Sequence, residues 1–241
     1  MMPNIVVDVG NSRMKWGRVE AHAVTVTAAL PLDDVVAWGE MLAAWHLPAS
    51  SQWVLAGSQP DARDRFTQWL ITQYQHPLIL DDHRHLPLRV QVDAPERVGF
   101  DRLLNAVGIG DRTAIIIDAG TAITVDFVEA GTFHGGAILP GLRLMGRTLH
   151  DYTARLPLVE FQGQPPLLHP AKNTHDAIGL GTTAMLTAGV RALIAGYRER
   201  AHWPVIVTGG DADYFADIDA QVEVQPHLTL EGIRRTMEIL G

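Results

Sequence analysis

The chain contains no cysteine among its 241 residues. Disulfide bonds, thiolate zinc sites and cysteine nucleophiles are therefore excluded. No apolar run approaches the roughly 18 residues that a membrane span requires, and the segment Met1–Asn4 lacks the basic residues that begin a signal peptide. We therefore expect a protein of the reducing cytoplasm that has no membrane partner.

Basic charge is also scarce, with 19 Lys and Arg against 27 Asp and Glu and a net charge of −8. Nucleic-acid binding needs a basic surface, so we expect no nucleic-acid partner. Apolar residues make up 47% of the chain and charged residues 19%, which is typical of a folded globular protein rather than a disordered one. A chain of 241 residues can form one large domain or two small lobes.

The most informative feature that is present is a short turn that occurs twice. An apolar strand ends in an acid and a small-residue turn at Asp8–Ser12, and again at Asp118–Thr121. In such a turn glycine lets the backbone N–H groups approach phosphate oxygens, the hydroxyl donates a hydrogen bond, and the acid holds a metal ion or its water shell. Taken alone, each turn is better explained as an ordinary hairpin turn stabilised by its Asp. Together they favour a duplicated nucleotide-binding fold.

The pattern of predicted elements is also duplicated. Between Ile5 and Leu80 the apolar spacing predicts the order β-β-β-α-β-α-β, with Asp33 as the N-cap of the first helix. After a predicted helix at Pro95–Gly110, three strands between Thr113 and Leu139 precede helices that alternate with strands. A long loop is predicted at Leu156–His175. The chain is therefore expected to be an α/β protein of two similar lobes.

Gly99–Arg102 places an acid beside an arginine near the start of a predicted helix. Asp101 can take a proton from a substrate hydroxyl, and Arg102 can bind an anionic group. An ion pair at the surface is the usual fate of such a dipeptide, so only its context favours a functional role.

Three further segments have both a functional and a structural interpretation. Val207–Asp211 ends a strand in two glycines against which an adenine ring can lie, or it is simply a strand-to-helix turn. Gly135–Leu142 permits close backbone packing beside a ligand, or only connects a strand to a helix. Thr174 is either an N-cap, which is the better prediction for it in isolation, or a hydroxyl that contacts substrate.

These motifs occur in one order along the chain, which resembles the type III pantothenate kinase family of the acetate and sugar kinase, Hsp70 and actin superfamily. The resemblance covers about residues 4–240 and rests on Asp-x-Gly-Asn-Ser at 8–12, Gly-x-Asp-Arg at 99–102, Asp-Ala-Gly-Thr at 118–121, Gly-Gly-x-Ile-x-Pro-Gly at 135–141, Asn-Thr at 173–174 and Thr-Gly-Gly-Asp at 208–211.

The resemblance implies transfer of the γ-phosphoryl group of ATP to the hydroxyl of pantothenate, the first step of coenzyme A biosynthesis. It implies two actin-like (ribonuclease H-like) lobes, residues 1–104 and 105–241, each a mixed five-stranded sheet with flanking helices, and an ATP cleft between them. It further implies a homodimer, Mg²⁺ with ATP, and a monovalent cation, K⁺ or NH₄⁺.

The resemblance also implies roles for individual residues. Asp101 matches the general base, Asp118 the ligand of the monovalent cation, and Thr121 an ATP contact. The pantothenate contacts match Gly99, Phe100, Asp101, Arg102 and Thr174. The first phosphate loop, which binds ATP, matches Asp8, Val9, Gly10, Asn11, Ser12, Arg13, Met14 and Lys15.

One position departs from the family pattern. The family usually has a Tyr that helps to wall the pantothenate pocket, and Val92 stands at the corresponding position. The chain therefore lacks a ring and a hydroxyl group at that place.

Two other functions are compatible with the same fold. One is a regulatory or accessory protein, which would have no need of Asp101. The other is a kinase for a related small hydroxyl substrate, or an actin-like scaffold, although filament-forming members of the superfamily are usually longer. Retention of Asp8, Asp101, Arg102, Asp118 and Thr121 favours the pantothenate kinase.

Overall fold

A computed structural model describes residues 3–48, 50–161, 169–199 and 201–241. The chain divides into two compact units. The first comprises Met1–Asp111, Gly131–Phe133 and His227–Gly241, and the second comprises Arg112–Ala130 and His134–Pro226. The predicted lobes, 1–104 and 105–241, divide the chain at a single point in the sequence, whereas each unit combines separate segments. The lobe boundaries remain a prediction. Part of the predicted loop at 156–175, residues 162–168, lies outside the described residues.

The first unit contains a five-stranded mixed sheet of order β3-β2-β1-β4-β5. β1 pairs antiparallel with β2 and parallel with β4, so the predicted hairpin and the predicted order of elements are both present. Asp34, one residue after the predicted N-cap, accepts a hydrogen bond from the Ala37 N–H at the start of α1. The elements are β1 Ile5–Val9, β2 Met14–Glu20, β3 Ala23–Leu30, α1 Val35–Ala44, β4 Trp53–Ala56, α2 Pro60–Thr72 and β5 Leu78–Ile79.

Aromatic side chains fill the core of this sheet and its helices. The Trp16 ring lies 5.2 Å from the Trp53 ring, and the Phe66 ring lies 5.1 Å from Trp38 and 5.6 Å from Trp69. Edge-to-face and offset contacts at such distances add to the hydrophobic stabilisation from burial. This core makes the sheet that carries the first turn rigid.

The predicted helix at 95–110 is two elements. A 3₁₀ turn at Pro95–Arg97 is separated from α3, Phe100–Gly108, by extended backbone at Val98. The boundary matters because it makes Gly99 the N-cap of α3 and puts Asp101 in the first turn of that helix. A 3₁₀ turn forms at His83–His85, and the two-residue strand β6, Arg89–Val90, was not predicted.

The C-terminal helix α6, Leu228–Leu240, packs on α3 in the first unit. Glycine permits the close approach: a β-carbon on Gly232 would collide with the Leu104 carbonyl, and one on Gly108 would stand 2.7 Å from a Leu228 methyl carbon. The Thr229 hydroxyl donates to the buried Asn105 side-chain oxygen at 2.9 Å. These contacts fix the middle and the C-terminal end of α3, the helix whose first turn contains Asp101.

The second sheet is also mixed and has the order β11-β10-β7-β8-β9-β6. β7 pairs antiparallel with β8 and parallel with β10. It has six strands where five were predicted, because β6 pairs with Thr132 and Phe133 at the start of β9. The remaining elements are β7 Ala114–Ala119, β8 Ala122–Glu129, β9 Thr132–Pro140, α4 Leu142–Asp151, α5 Thr174–Tyr197, β10 Val205–Thr208, a 3₁₀ turn at Ala212–Phe215 and β11 Val222–Val224.

One helix among the described residues, α5, is long and apolar enough to cross a membrane if only length and composition are considered. A third of its most apolar window is buried within the fold. A core helix of a soluble protein passes the same test, so this is weak support for a membrane span.

Candidate functional site

The first turn closes the β1–β2 hairpin. The Gly10 N–H donates to the Arg13 carbonyl at 3.1 Å, and Asn11, Ser12 and Arg13 are exposed. Val9 and Met14 are fully buried, backbone and side chain alike, so neither presents surface to a ligand in this structure.

Asp8 lies in β1 one residue before this turn, and its side chain is only 6% exposed. It pairs directly with Lys15 of β2 in the antiparallel register. Side chains of such a pair share one face of the sheet with their β-carbons about 5 Å apart. The hairpin therefore presents a carboxylate, an ammonium group and exposed backbone at one place.

A second loop, after β4, supports the first turn and was missed in the sequence. Gly57 has a φ of +138°, and a β-carbon there would stand 2.6 Å from the Val9 nitrogen. The Asn11 amide nitrogen lies 3.5 Å from the Ser58 hydroxyl. The parallel pairing of Asp8 with Ala56 brings the two loops together. The sequence pattern that could have indicated this loop is the small-residue segment Ala56–Ser58 after an apolar strand.

Asp101 and Arg102 begin α3 in the first unit, and both are half-buried. Asp101 Oδ1 accepts a hydrogen bond from the Arg102 N–H at 2.9 Å. An anion is favoured in the first turn of a helix by the unpaired N–H groups and the helix dipole. A β-carbon on Gly99 would stand 2.7 Å from Asp101 Oδ1, so glycine leaves room for the carboxylate.

The Arg102 guanidinium carbon lies 5.4 Å from the centre of the Phe133 ring. A cation over an aromatic face is attracted by the ring quadrupole, which holds this side chain in one direction. Phe133 belongs to the first unit although it starts β9, and no sequence pattern linked it to Arg102.

The second turn lies in the second unit at the end of β7. Asp118 is half-buried and pairs with Thr208 of β10 in the parallel register. Gly209 follows with a φ of +96°, and the Asp211 N–H donates to the Ala119 carbonyl at 2.9 Å. The predicted segments at 118–121 and 207–211 therefore lie side by side.

The start of α4 lies on the other side of the second turn. The Gly141 N–H donates to the Thr121 carbonyl at 3.0 Å, and a β-carbon on Gly141 would stand 2.5 Å or less from the turn's carbonyls. Among the described residues, the N-cap Gly141 makes no side-chain hydrogen bond to α4, and the first turn of α4 has no acid. Exposed Thr121 therefore lies beside a helix N-terminus, an arrangement that suits a phosphate.

Arg143 and Asp211 form an ion pair at this place, with 2.8 Å between Nη1 and Oδ2. Asp211 is 4% exposed and Arg143 mostly exposed. Burial raises the pKa of the Asp211 carboxyl, and the nearby guanidinium opposes that rise. The pair connects α4 to the loop after β10, and no sequence pattern linked the two residues.

A buried acid on β8, in addition to Asp118 on β7, was not predicted as a site residue. Asp126 is 1% exposed, and its Oδ2 accepts a hydrogen bond from the Thr124 hydroxyl at 3.0 Å. A β-carbon on Gly136 of β9 would collide with Asp126 Oδ1. The glycines of the 135–141 motif therefore make room for a buried carboxylate. The available signal was an acid inside an otherwise apolar strand.

Thr174 is the first residue of α5 and is exposed. It is not the N-cap, because Asn173 holds that position and its side-chain oxygen accepts from the Asp176 N–H at 2.9 Å. The capping interpretation of Thr174 is therefore wrong, and its hydroxyl is not committed to closing the helix.

No group of three or more His, Asp or Glu side chains that could hold a metal ion occurs in the described parts of the chain. A cation here would rely on single carboxylates with hydroxyl, carbonyl or phosphate oxygens. Asp118 with Thr124 opposite it, and Asp8 beside the first turn, offer donors of this kind. Hard cations such as Mg²⁺ accept oxygen ligands.

The chain is similar to known proteins along nearly its whole length. The sequence profile described as Type III pantothenate kinase matches residues 4–196. A type III pantothenate kinase of Synechococcus sp. (strain JA-3-3Ab) is 34% identical over 93% of this chain and 88% of its own. Those of Teredinibacter turnerae and Porphyromonas gingivalis (strain W83) are 33% identical, over 95% and 96% of the two chains, and 31% identical, over 98% of each.

Solved structures show the same fold at low sequence identity. One, described as a conserved putative Baf family transcriptional activator from Campylobacter jejuni, has a TM-score of 0.66 and 18% identity, with 98% of both chains covered. A putative 2-dehydro-3-deoxygalactonokinase from Sinorhizobium meliloti has a TM-score of 0.58 and 14% identity, with 98% and 97% covered. These likenesses confirm the predicted actin-like α/β fold and nothing further.

Proposed function

The chain belongs to the type III pantothenate kinase family, and we propose that Asp101 is the general base of the reaction that follows from this membership, the ATP-dependent phosphorylation of pantothenate in coenzyme A biosynthesis. The observation that carries the activity is the match to curated kinases at 31–34% identity over more than nine-tenths of the chain. The roles of individual residues below are part of the proposal.

Asp101 would accept the proton of the pantothenate hydroxyl as that oxygen attacks the γ-phosphorus of ATP. The new bond joins oxygen to phosphorus, the bond to the β-phosphate oxygen breaks, and ADP leaves with that electron pair. Phosphoryl transfer depends mainly on positioning and charge stabilisation, with one group orienting the nucleophile. Its place in the first turn of α3 and the space beside Gly99 support this role for Asp101.

Arg102 would bind the pantothenate carboxylate. Its guanidinium is a fixed cation with a planar donor set, and the Phe133 ring restricts its direction. Gly99, Phe100 and the Thr174 hydroxyl would complete the substrate contacts. Val92 is half-buried and supplies neither a ring nor a hydroxyl, so pantothenate would meet a smaller apolar surface there.

Residues 8–15 would bind the ATP phosphates. The exposed turn residues Asn11 and Ser12 and the ammonium group of Lys15 suit phosphate oxygens, and the Gly10–Arg13 hydrogen bond closes the turn that presents them. The Asp8 carboxylate would hold Mg²⁺ or one of its water ligands. That ion neutralises phosphate charge when ATP is bound.

The second turn would hold ATP through Thr121 and a monovalent cation, K⁺ or NH₄⁺, through Asp118. A half-buried carboxylate is costly unless a cation or strong donors meet it. The cation would reduce the negative charge beside the phosphates, and the N-terminus of α4 next to Thr121 would act in the same sense.

We further propose a homodimer in the cytoplasm, where ATP is available. Large apolar side chains of the second unit are exposed: Met185 on α5 by 53%, Ile138 on β9 by 64% and Leu144 on α4 by 43%. Exposed apolar surface of this kind is typical of protein interfaces. Analytical ultracentrifugation would test the assembly, and a monomer at micromolar concentration would contradict it.

A coupled ADP-release assay tests the activity. Purified protein with ATP and Mg²⁺ should release ADP only when pantothenate is added, and mass spectrometry should detect phosphopantothenate. The rate should be higher in K⁺ than in Na⁺ at equal ionic strength. ADP release that does not depend on pantothenate, or no release at millimolar ATP, would contradict the proposed reaction.

A further inference from the structure

Three polar side chains share one face of the second sheet. Asp118 of β7 pairs with Thr124 of β8, and Asp126 lies two residues further along β8. Side chains two residues apart on a strand point to the same face, as do those of a directly paired couple. Ile117 and Val125 alternate with them and belong to the apolar core on the other face.

This polar row is built into the sheet rather than lying on its surface. Thr124 is 9% exposed and Asp126 1%, while Asp118 is half-buried. Each carboxylate is covered by a glycine: a β-carbon on Gly209 would stand 2.6 Å from Asp118 Oδ1, and one on Gly136 would collide with Asp126 Oδ1. Side chains at either glycine would displace the acids, so the row has a defined geometry.

The direction of the Thr124 hydroxyl proton follows from its hydrogen bond. A hydroxyl group has one proton and two lone pairs. The Thr124 hydroxyl donates to Asp126 Oδ2 at 3.0 Å, so its proton lies on the Asp126 side. The two lone pairs of the Thr124 oxygen are therefore directed away from Asp126, and Asp118 is the residue paired with Thr124 across the two strands.

We propose that Thr124 is a further oxygen ligand of the cation held at Asp118, and that Asp126 is the positioning residue that turns the Thr124 proton away from that cation. This rests on the proposed cation role of Asp118. Carboxylate and hydroxyl oxygens are ligands that hard cations accept. A hydroxyl group whose proton points at a cation repels it. The hydrogen bond to Asp126 keeps the Thr124 proton directed at Asp126, so the Thr124 oxygen can attract the cation.

The test measures cation binding apart from turnover. The thermal unfolding midpoint of the full chain with ATP and no pantothenate is followed against K⁺ concentration, with choline chloride keeping the ionic strength constant. A ligand that binds only the folded state raises the midpoint as its concentration passes its dissociation constant. The concentration that gives half of the K⁺-dependent rise is compared between variants, and K⁺ activation of turnover is measured in parallel.

Thr124→Val keeps the shape but removes the oxygen, and should raise the half-effect K⁺ concentration about tenfold. Thr124→Ser keeps the hydroxyl and should stay close to wild type. Asp126→Asn should raise that concentration severalfold, because a neutral amide accepts more weakly and can donate to the Thr124 oxygen. Thr187→Val, which removes a hydroxyl bonded to the Thr183 carbonyl in α5, is the matched control and should behave as wild type.

Different results would contradict the cation site at Asp118, the ligand role of Thr124 and the positioning role of Asp126. No K⁺-dependent rise in the wild type would overturn the cation at Asp118 and the role of Thr124 with it. A wild-type rise that Asp118→Asn abolishes and Thr124→Val leaves unchanged would overturn the role of Thr124 alone. A Thr124→Val effect with an unchanged Asp126→Asn response would overturn the positioning role of Asp126.

Discussion

Gly209 lies so close to Asp118 that a β-carbon at position 209 would stand 2.6 Å from the Asp118 carboxylate oxygen. The φ of Gly209, +96°, is one that side chains rarely permit. The loop after β10 and the carboxylate at the end of β7 therefore depend on each other. The two motifs that contain these residues are far apart in sequence. Their contact explains why one motif needs a glycine at position 209 and how the other positions its carboxylate.

Gly209→Ala should destabilise the protein by about 3 kcal/mol or more, because it adds backbone strain and a collision with the Ala119 carbonyl. Urea denaturation measures the change. Gly210→Ala is the matched control: nothing lies within 4 Å of its added β-carbon, so its effect should stay within about 0.5 kcal/mol. Equal effects of the two substitutions would contradict the packing argument.

Much of the first unit and of the second turn was predictable from sequence because the signals are local. The Asp8 and Asp118 turns, the hairpin and the order of elements follow from apolar runs that end in small residues. Gly57 and Phe133 were not predictable as site residues, and neither was the pairing of Asp211 with Arg143, because each contact joins strands or loops distant in sequence.

Two element errors have similar causes. Helical spacing runs through 95–110, but the extended backbone at Val98 and the cap at Gly99 divide that segment into two elements. Strand β6 has only two residues and is formed by its pairing with β9, so no periodic pattern could reveal it. Local propensity fails where a tertiary contact decides the structure.

Asp219 should stabilise the second unit through Arg198. Its two carboxylate oxygens lie 2.6 and 3.1 Å from the guanidinium nitrogens, and these hydrogen bonds lower the pKa of the Asp219 carboxyl below its ordinary 3.8. The stabilisation is therefore present above that pH and is lost as the pH falls through the lowered pKa. Asp219→Asn should cost about 1–3 kcal/mol at pH 7.

Urea denaturation from pH 7 to pH 3 checks this prediction, since the difference from wild type should shrink below about pH 4. Glu223→Gln is the control, because the Arg112–Glu223 pair is nearly half exposed and should contribute less than about 1 kcal/mol. A difference between Asp219→Asn and wild type that stays constant with pH would contradict the ion-pair explanation.

Thr182→Val should stabilise the protein. Thr182 is 3% exposed in α5, and its hydroxyl has no hydrogen-bond partner among the described residues. Replacing an unpaired buried hydroxyl by a methyl group of similar shape should gain about 1 kcal/mol, or about 2–4 °C in melting temperature. Thr187→Val removes a paired hydroxyl in the same helix and should not stabilise. A lower melting temperature for Thr182→Val would show that the hydroxyl is paired.

Asp101→Asn should abolish most of the phosphorylation of pantothenate while ATP binding survives. The amide keeps the shape of the side chain but does not take the hydroxyl proton, and loss of a general base typically costs about 10²–10⁴-fold in kcat. Kinetics with pantothenate and fluorescence titration with an ATP analogue separate the two effects.

Glu96→Gln, which changes an exposed acid in the preceding 3₁₀ turn, is the matched control and should turn over at the wild-type rate. Because Asp101 also accepts from the Arg102 N–H, circular dichroism must show that α3 is intact in the variant. Wild-type turnover by folded Asp101→Asn would remove Asp101 from the chemical step and leave it as a structural residue of the first turn of α3.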